Sequence, residues 1–272
     1  MGIFDGILLV SDLDGTLLRN DKSVSKRNSE ALDYFMREGG LFTVMTGRMP
    51  YALSTVLDKI SVNAPVGCGN GLTIFDTEKN ECLWKICIDN KVLDAVRFVR
   101  DSFSDMGIEI MTHDNVFCVR TNPSIFKHLS DERLELNECD ADTYDGEIGK
   151  ILFAHTSECL GPMIKALESS NLLDGFIGVR SDITYYEILP MGAGKGAGLM
   201  RLAQILGIPL SKTIAVGDND NDESMIRMAG VGIAVANASQ AAHDAADIVT
   251  VSNEEDAIAK IIYDIENGTI KI

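Results

Sequence analysis

Residues 7–16 read ILLVSDLDGT, an aliphatic run suited to a buried strand that ends in two aspartates one residue apart, followed by a glycine. Buried carboxylates are costly unless they are paired or bound to metal. The pair therefore belongs at a surface, in a turn, or around a cation. The surrounding sequence repeats the pattern of short apolar runs alternating with helical stretches. ILLV (7–10) is followed by a helix over 26–38 that Gly39-Gly40 stops, by LFTVM (41–45), and by a helix from about Pro50. This is the βαβ rhythm of a parallel sheet. It returns near the C-terminus, where Leu199, Leu202 and Leu206 stripe a helix, TIAV (213–216) follows, and a helix from about Asn221 leads to VGIAV (231–235). The two ends are expected to build one α/β core with a doubly wound parallel sheet.

The middle of the chain has another texture. LWKICI, a helix over 91–104, IEIM, VFCVR, the acidic stretch ELNECDADTYDGE, KILFAH, a helix over 158–170, FIGV and ITYYEIL succeed one another. Paired short strands dominate, which predicts an inserted α+β domain. The expected division is a core of residues 1–83 and 187–272 and an insertion of residues 84–186. The acidic stretch reads as a solvated loop.

Composition narrows the function. The chain has 272 residues, 46% of them hydrophobic, and no apolar run approaches the roughly 20 residues of a membrane span. No secretory signal is evident. A soluble cytoplasmic protein is expected, with no membrane partner. The 24 Lys and Arg stand against 41 Asp and Glu, a formal charge of −17. Such a surface repels nucleic acid and anionic lipid, so an anionic substrate has to be captured locally. Cys68, Cys82, Cys87, Cys118, Cys139 and Cys159 include no C-x-x-C pair and read as reduced thiols. His113, His128, His155 and His243 show no metal-ligand spacing, and zinc is not expected.

Each apolar run leads into a polar cluster: ILLV into SDLDGT, LFTVM into TGR, PVGC into GNG, and TIAV into GDNDND. In a parallel sheet these clusters share the edge where open α/β sheets bind ligands. That edge would hold Asp12, Asp14, Thr46, Arg48, Asn70, Asp218 and Asp222. The DNDNDES segment is not a calcium loop, since Glu223 and Ala229 stand where glycine and a bidentate glutamate are required. MGAGKGAG is not a phosphate-binding loop, since Gly196 follows Lys195 where Ser or Thr is needed. It leaves Lys195 at a helix start, where a cation and backbone N–H groups favour an anion. Carboxylates around one site would repel a phosphate by about 4 kcal/mol per charge pair at ~4 Å and an effective dielectric near ~20. A cation is required, and oxygen ligands without sulfur or imidazole point to Mg²⁺.

DLDGT at 12–16, TGR at 46–48, Lys195 in GAGKG, and GDNDND at 217–222 together resemble the four motifs of the haloacid dehalogenase (HAD) superfamily, in order and spacing. GNG at 69–71, VANA at 235–238 and ADIVTVSNEED at 246–256 are similar to the Cof-type phosphatases, which carry a large α/β cap between the second and third motifs. The resemblance implies a Rossmann-like core with an inserted cap that closes over a small phosphorylated metabolite. It implies that Asp12 is the nucleophile of an aspartyl-phosphate intermediate and that Asp14 is the acid and base. Mg²⁺ would be held by the Asp12 carboxylate, the Asp14 carbonyl and Asp218. Thr46, the Gly47 amide and Lys195 would bind the phosphoryl oxygens. Asn221 and Asp222 would orient Lys195 and metal waters, and Arg48 and Asn70 would face the cap. Dehalogenases lack an acid at the position of Asp14, because halide needs no proton to leave and an ester oxygen does. The expected activity is hydrolysis of a sugar phosphate, pyridoxal phosphate or flavin mononucleotide by a monomer or weak homodimer. A sugar phosphomutase and a non-catalytic binder of phosphorylated ligands are the alternatives.

Overall fold

The computed structural model describes residues 2–272. β1 (Leu8–Ser11) is buried along its length. It is followed by α1 (Lys26–Arg37), which starts where Ser25 Oγ accepts the Asn28 N–H and stops before Gly39, at φ +92°. β2 (Leu41–Val44), a 3₁₀ turn over Pro50–Ala52, α2 (Ser54–Leu57), β3 (Val66–Cys68), β4 (Thr73–Asp76) and β5 (Glu81–Lys85) come next. The middle of the chain supplies α3 (Val92–Ser102), β6 (Gly107–Met111), β7 (Val116–Arg120), α4 (Pro123–Glu132), β8 (Lys150–Ala154), α5 (Ser157–Glu168), β9 (Phe176–Asp182) and β10 (Tyr185–Pro190). The C-terminal part adds α6 (Lys195–Leu206), β11 (Thr213–Gly217), α7 (Glu223–Met228), β12 (Val231–Ala234), α8 (Gln240–Ala245), β13 (Ile248–Val249) and α9 (Ala257–Glu266). No helix among the described residues is long and apolar enough to cross a membrane.

Two compact units result. One comprises the residues up to Arg48, Val56–Trp84 and Gly194–Ile272; the other comprises Met49–Thr55 and Lys85–Ala193. β10 runs through Pro190 in the second sheet, so the chain leaves that unit at Ala193 rather than at 186.

The first unit is built on a parallel sheet of order β13-β12-β11-β1-β2. The N-terminal part of the chain winds outward from β1 to β2, and the C-terminal part winds the other way from β11. The strand order reverses between β1 and β11, and that is where ligands bind such sheets. Leu8, Val10, Leu199, Leu202, Ala215 and Met225 form part of the core beneath this junction. β3 keeps the expected parallel direction where it meets the main sheet, through a parallel bridge from Met45 to Gly67 and the Thr46 N–H donating to Gly67 O at 2.9 Å, and on its other side it pairs antiparallel with β4. The cause is local: Gly69, Asn70 and Gly71 all have positive φ (61°, 59° and 85°), which folds the chain back on itself directly after β3.

The second unit is an antiparallel sheet of order β7-β6-β8-β10-β9. Ile108, Ile110, Ile151, Phe153 and Ile188 join Val96, Val99, Leu160 and Met163 of α3 and α5 in one apolar core. Because side chains alternate along a strand, Glu109 and Glu187 point to the opposite face. There Lys150 Nζ meets Glu187 Oε1 at 2.8 Å. His128 of α4 lies 2.9 Å from Glu109 Oε2 and 3.4 Å from Glu132 Oε2. The expected order of elements contains no counterpart of α4, although Asn122 caps it and Pro123 occupies its first turn. Arg97 and Arg100 hold Asp142 of the acidic stretch at 3.0 and 2.9 Å.

Burial opposes a charge on His128, but the adjacent Glu109 and Glu132 carboxylates outweigh it and raise the imidazole pKa to about 10. The unfolded value is about 6.5, so the folded state binds the proton more tightly. The resulting stabilisation is complete below the unfolded pKa and is lost as pH rises through about 10. Urea midpoints of the native chain and His128→Asn, measured from pH 6 to 10.5, are therefore expected to converge toward the alkaline end, the native chain losing its advantage.

Candidate active site

Four loops of the first unit meet at the reversal of strand order. Asp12 stays in the ladder, its N–H donating to Val216 O at 2.9 Å, so the end of β1 lies beside the end of β11. The loop after β1 turns at Gly15, with φ +86°, and a Cβ there would come 2.4 Å from Asp218 Oδ2. Glycine is therefore what lets this loop press against the Asp218 carboxylate. Asn237, from the VANA segment, steadies the same turn by donating to Gly15 O at 2.8 Å.

Lys195 opens α6 and is buried to within 1% of its surface. Its ammonium donates to Asp12 Oδ1 at 2.5 Å and to Asp222 Oδ1 at 2.6 Å. The other Asp222 oxygen accepts the N–H groups of Asp218 and Asn219, both at 3.0 Å. Asp222 thus joins the ammonium to the loop after β11. Thr16 Oγ1 donates to Asp218 Oδ1 at 2.7 Å, and Asp218 places a carboxylate oxygen within 4.8 Å of one of Asp12.

Thr46 and Asn70 are both buried. The Asn70 N–H donates to Thr46 O at 2.9 Å, and Asn70 Oδ1 accepts from Asn221 Nδ2 at 3.0 Å. Thr46 Oγ1 accepts the Arg48 N–H at 3.2 Å. Gly47 lies beside Asn70, where an added Cβ would be 3.3 Å from Oδ1. Asp14 is apart from the buried cluster. Its side chain is 38% exposed and pairs with Lys22 Nζ at 2.7 Å and Arg48 Nη2 at 3.1 Å.

Of the expected site residues, Asp12, Lys195, Asp218 and Asp222 form one bonded cluster, and Thr46, Asn70 and Asn221 form a chain beside it. Asp222 contacts Lys195 as expected, whereas Asn221 is bonded to Asn70 instead. Arg48 is engaged with Asp14. Sequence reasoning passed over three contributors: Thr16, Lys22, and Ser224, whose Oγ accepts the Gly196 N–H at 3.0 Å. Thr16 stands inside the DLDGT motif and was open to notice. Lys22 and Ser224 carry no pattern of their own.

Three carboxylates surround one ammonium. Burial, opposed by Lys195 and reinforced by Asp222 and Asp218, holds the Asp12 carboxyl well above the usual carboxylate range. Burial and Asp222 push Asp218 up to about 6. Burial works against the charge of Lys195, but Asp12 and Asp222 raise its pKa and keep it protonated. At Asp14 burial is outweighed by Arg48 and Lys22, and its pKa is lowered. The cluster is therefore short of positive charge at one place, between Asp12 and Asp218, whose carboxyls must share a proton or a cation. Asp12, Asp218 and Asp222 each offer a ligand atom within 4.8 Å of the others. Asp222 has both oxygens committed, so Asp12 and Asp218 are the pair that fits a metal ion, and their hard oxygen donors suit a hard divalent cation.

A buried lysine thus clamps a strand-end aspartate, with a second aspartate from the far side of the switch beside it. The chain belongs to the haloacid dehalogenase-like hydrolases, whose family model matches residues 9–262. It is 29% identical over 271 residues to YxeH of Bacillus subtilis (strain 168), covering 95% of this chain and 97% of that protein. It is 25% identical over 266 residues to the 5-amino-6-(5-phospho-D-ribitylamino)uracil phosphatase YitU of the same organism, covering 94% and 96%. A haloacid dehalogenase-like hydrolase from Bacteroides thetaiotaomicron superposes with a TM-score of 0.83 at 26% identity, covering 95% of this chain and 99% of that one.

Gly71 tests how tightly these loops are fitted. It has φ +85°, and a Cβ would lie 2.2 Å from Gly194 O, the backbone that leads into Lys195. Gly71→Ala is expected to lower unfolding free energy by roughly 2–4 kcal/mol, read from urea denaturation, because a backbone atom rather than a movable side-chain end blocks the methyl group.

Proposed function

We propose that this hydrolase is a Mg²⁺-dependent phosphatase of a small phosphorylated metabolite of the sugar phosphate, pyridoxal phosphate or flavin mononucleotide class, working in the cytoplasm as a monomer or weak homodimer. The observation that carries the reading is the Asp12–Lys195–Asp222 clamp with Asp218 offering a carboxylate oxygen within 4.8 Å of Asp12. The 5-amino-6-(5-phospho-D-ribitylamino)uracil phosphatase activity named for YitU is consistent with a phosphorylated polyol or sugar as substrate.

The Asp12 and Asp218 carboxylates and the Asp14 backbone carbonyl would hold the Mg²⁺. When bound, the ion supplies positive charge that keeps Asp12 ionised and offsets the phosphate charge. An Asp12 oxygen attacks phosphorus, and the bond from phosphorus to the ester oxygen breaks. Asp14 delivers a proton to the departing alkoxide, leaving an aspartyl-phosphate. Water then attacks phosphorus while Asp14 takes its proton, and inorganic phosphate leaves with Asp12 regenerated. Lys195, Thr46 and the Gly47 amide meet the charge on the equatorial oxygens. Asn221 holds Asn70 beside Thr46, and Asp222 fixes Lys195. Asp14 rests as an ionised partner of Arg48 and Lys22, so its acid role requires that these cations be drawn from it when the phosphate arrives.

Phosphate release across a panel of phosphate esters, with Mg²⁺ or chelator, tests the assignment. Turnover is expected to need Mg²⁺ and to fall at least several-hundredfold in Asp12→Asn, the scale on which removal of a covalent nucleophile acts. Turnover surviving both chelation and the substitution would place the chemistry elsewhere. Isomerised sugar phosphate without phosphate release would identify a mutase.

A further inference from the structure

We infer that the second unit carries a separate divalent-metal site of the zinc class, built from Cys87, His113 and Glu147. The three come from distant parts of the sequence: the segment after β5, the turn between β6 and β7, and the loop before β8. Antiparallel pairing of Ile88 with Ile148, whose N–H and carbonyl meet at 2.8 Å, places Cys87 and Glu147 diagonally across the two segments. The Gly149 N–H donates to Met111 O at 2.8 Å and ties the same loop to the end of β6. The β6–β7 turn is fixed by Thr112, whose Oγ1 accepts the N–H groups of Asp114 and Asn115 at 3.1 and 2.8 Å. A Cβ on Gly149 would lie 3.6 Å from His113 Nε2, so the small residue leaves the imidazole its place.

The ligand geometry fits. Cys87 Sγ is 3.5 Å from His113 Nε2, and one donor atom from each of the three residues lies within 4.8 Å of the others. Zinc bonds of about 2.3 Å to sulfur and about 2.0–2.1 Å to nitrogen at a tetrahedral angle separate those two atoms by roughly 3.5 Å. His113 is buried, and an imidazole binds metal through its neutral form. The ring is also hydrogen-bonded to the Ile86 backbone, the kind of outer contact that orients metal-binding imidazoles. Glu147 offers its carboxylate beside the Lys85 ammonium. Lys85 Nζ, 2.6 Å from Glu147 Oε2, is 41% exposed and can swing into solvent when a cation arrives. On binding, the Cys87 thiol proton passes to solvent and a metal–sulfur bond forms. Sulfur and imidazole select Zn²⁺ or Co²⁺ over Mg²⁺, which separates this site from the oxygen-only pair of Asp12 and Asp218. Three protein ligands leave a fourth position for water.

Cobalt reports the site directly, because only a thiolate ligand gives sulfur-to-cobalt charge-transfer absorption in the near ultraviolet. The full chain, freed of metal and held in excess Mg²⁺, is titrated with Co²⁺. One equivalent is expected to produce the band, Zn²⁺ to abolish it, and Cys87→Ser to lack it. Loss of groups one shell beyond a metal costs about 10–100-fold in affinity, so Glu147→Gln is expected to bind Co²⁺ at least tenfold more weakly. Glu147 is exposed, and its replacement keeps the test open if His113 variants fail to fold. Absence of the band overturns the inference. So does an undiminished band in Cys87→Ser, which would move the cobalt to the exposed thiols Cys82 or Cys159, and so does unchanged affinity in Glu147→Gln.

Discussion

The first unit is organised around a single ammonium group. Lys195 is buried beside three aspartates, and two of them hold it directly. Taking such charges out of water is tolerated only when every one is met by an opposite charge or a hydrogen bond. The loop after β11 meets part of this requirement by turning two backbone N–H groups onto Asp222, and Thr16 meets another by donating to Asp218. What stays unmet lies between Asp12 and Asp218. A proton or a cation shared between the two carboxyls would meet it.

Closeness of backbone is the second constraint. Gly15 admits the Asp218 carboxylate, and Gly71 admits the Gly194 carbonyl at the entrance to α6. Any side chain at either position would push a functional loop outward. The positive φ angles at 69–71 also make β3, bridged in parallel to the main sheet, the first arm of a hairpin. The same turn sets Asn70 against Thr46 and Asn221. One local geometry thus alters the sheet and supplies part of the site.

Much of this was legible in the sequence because the signals were local. A run such as ILLV followed by DLDGT states both a strand and what its end presents, and the helix over Lys26–Arg37 is bounded by Ser25 and Gly39. Asn122-Pro123 gives an equally local sign of α4 that an eye following strand pairs passes over. The partnership of Asn221 with Asn70, the pairing of Lys22 with Asp14, and the meeting of Cys87 with His113 depend on how separate segments cross. Spacing rules for metal ligands look for neighbours in sequence, and so the histidines looked uncommitted.

Asp12 and Asp14 are two residues apart, yet their surroundings drive them in opposite directions. Burial and neighbouring carboxylates hold Asp12 toward its protonated form, while Arg48 and Lys22 hold Asp14 ionised. The proposed chemistry needs the reverse, an ionised nucleophile and a protonated acid. Positive charge placed between Asp12 and Asp218 reverses the first bias, because it attracts the ionised carboxylate. A phosphate dianion reverses the second, because it competes for Arg48 and Lys22 and adds negative charge near Asp14, both of which raise a carboxyl pKa. Opposed environments of this kind are how neighbouring carboxyls come to divide acid and nucleophile roles. On the proposed chemistry the resting state would keep both roles switched off, and the substrate's own charge, arriving with its cation, would exchange the two protonation states.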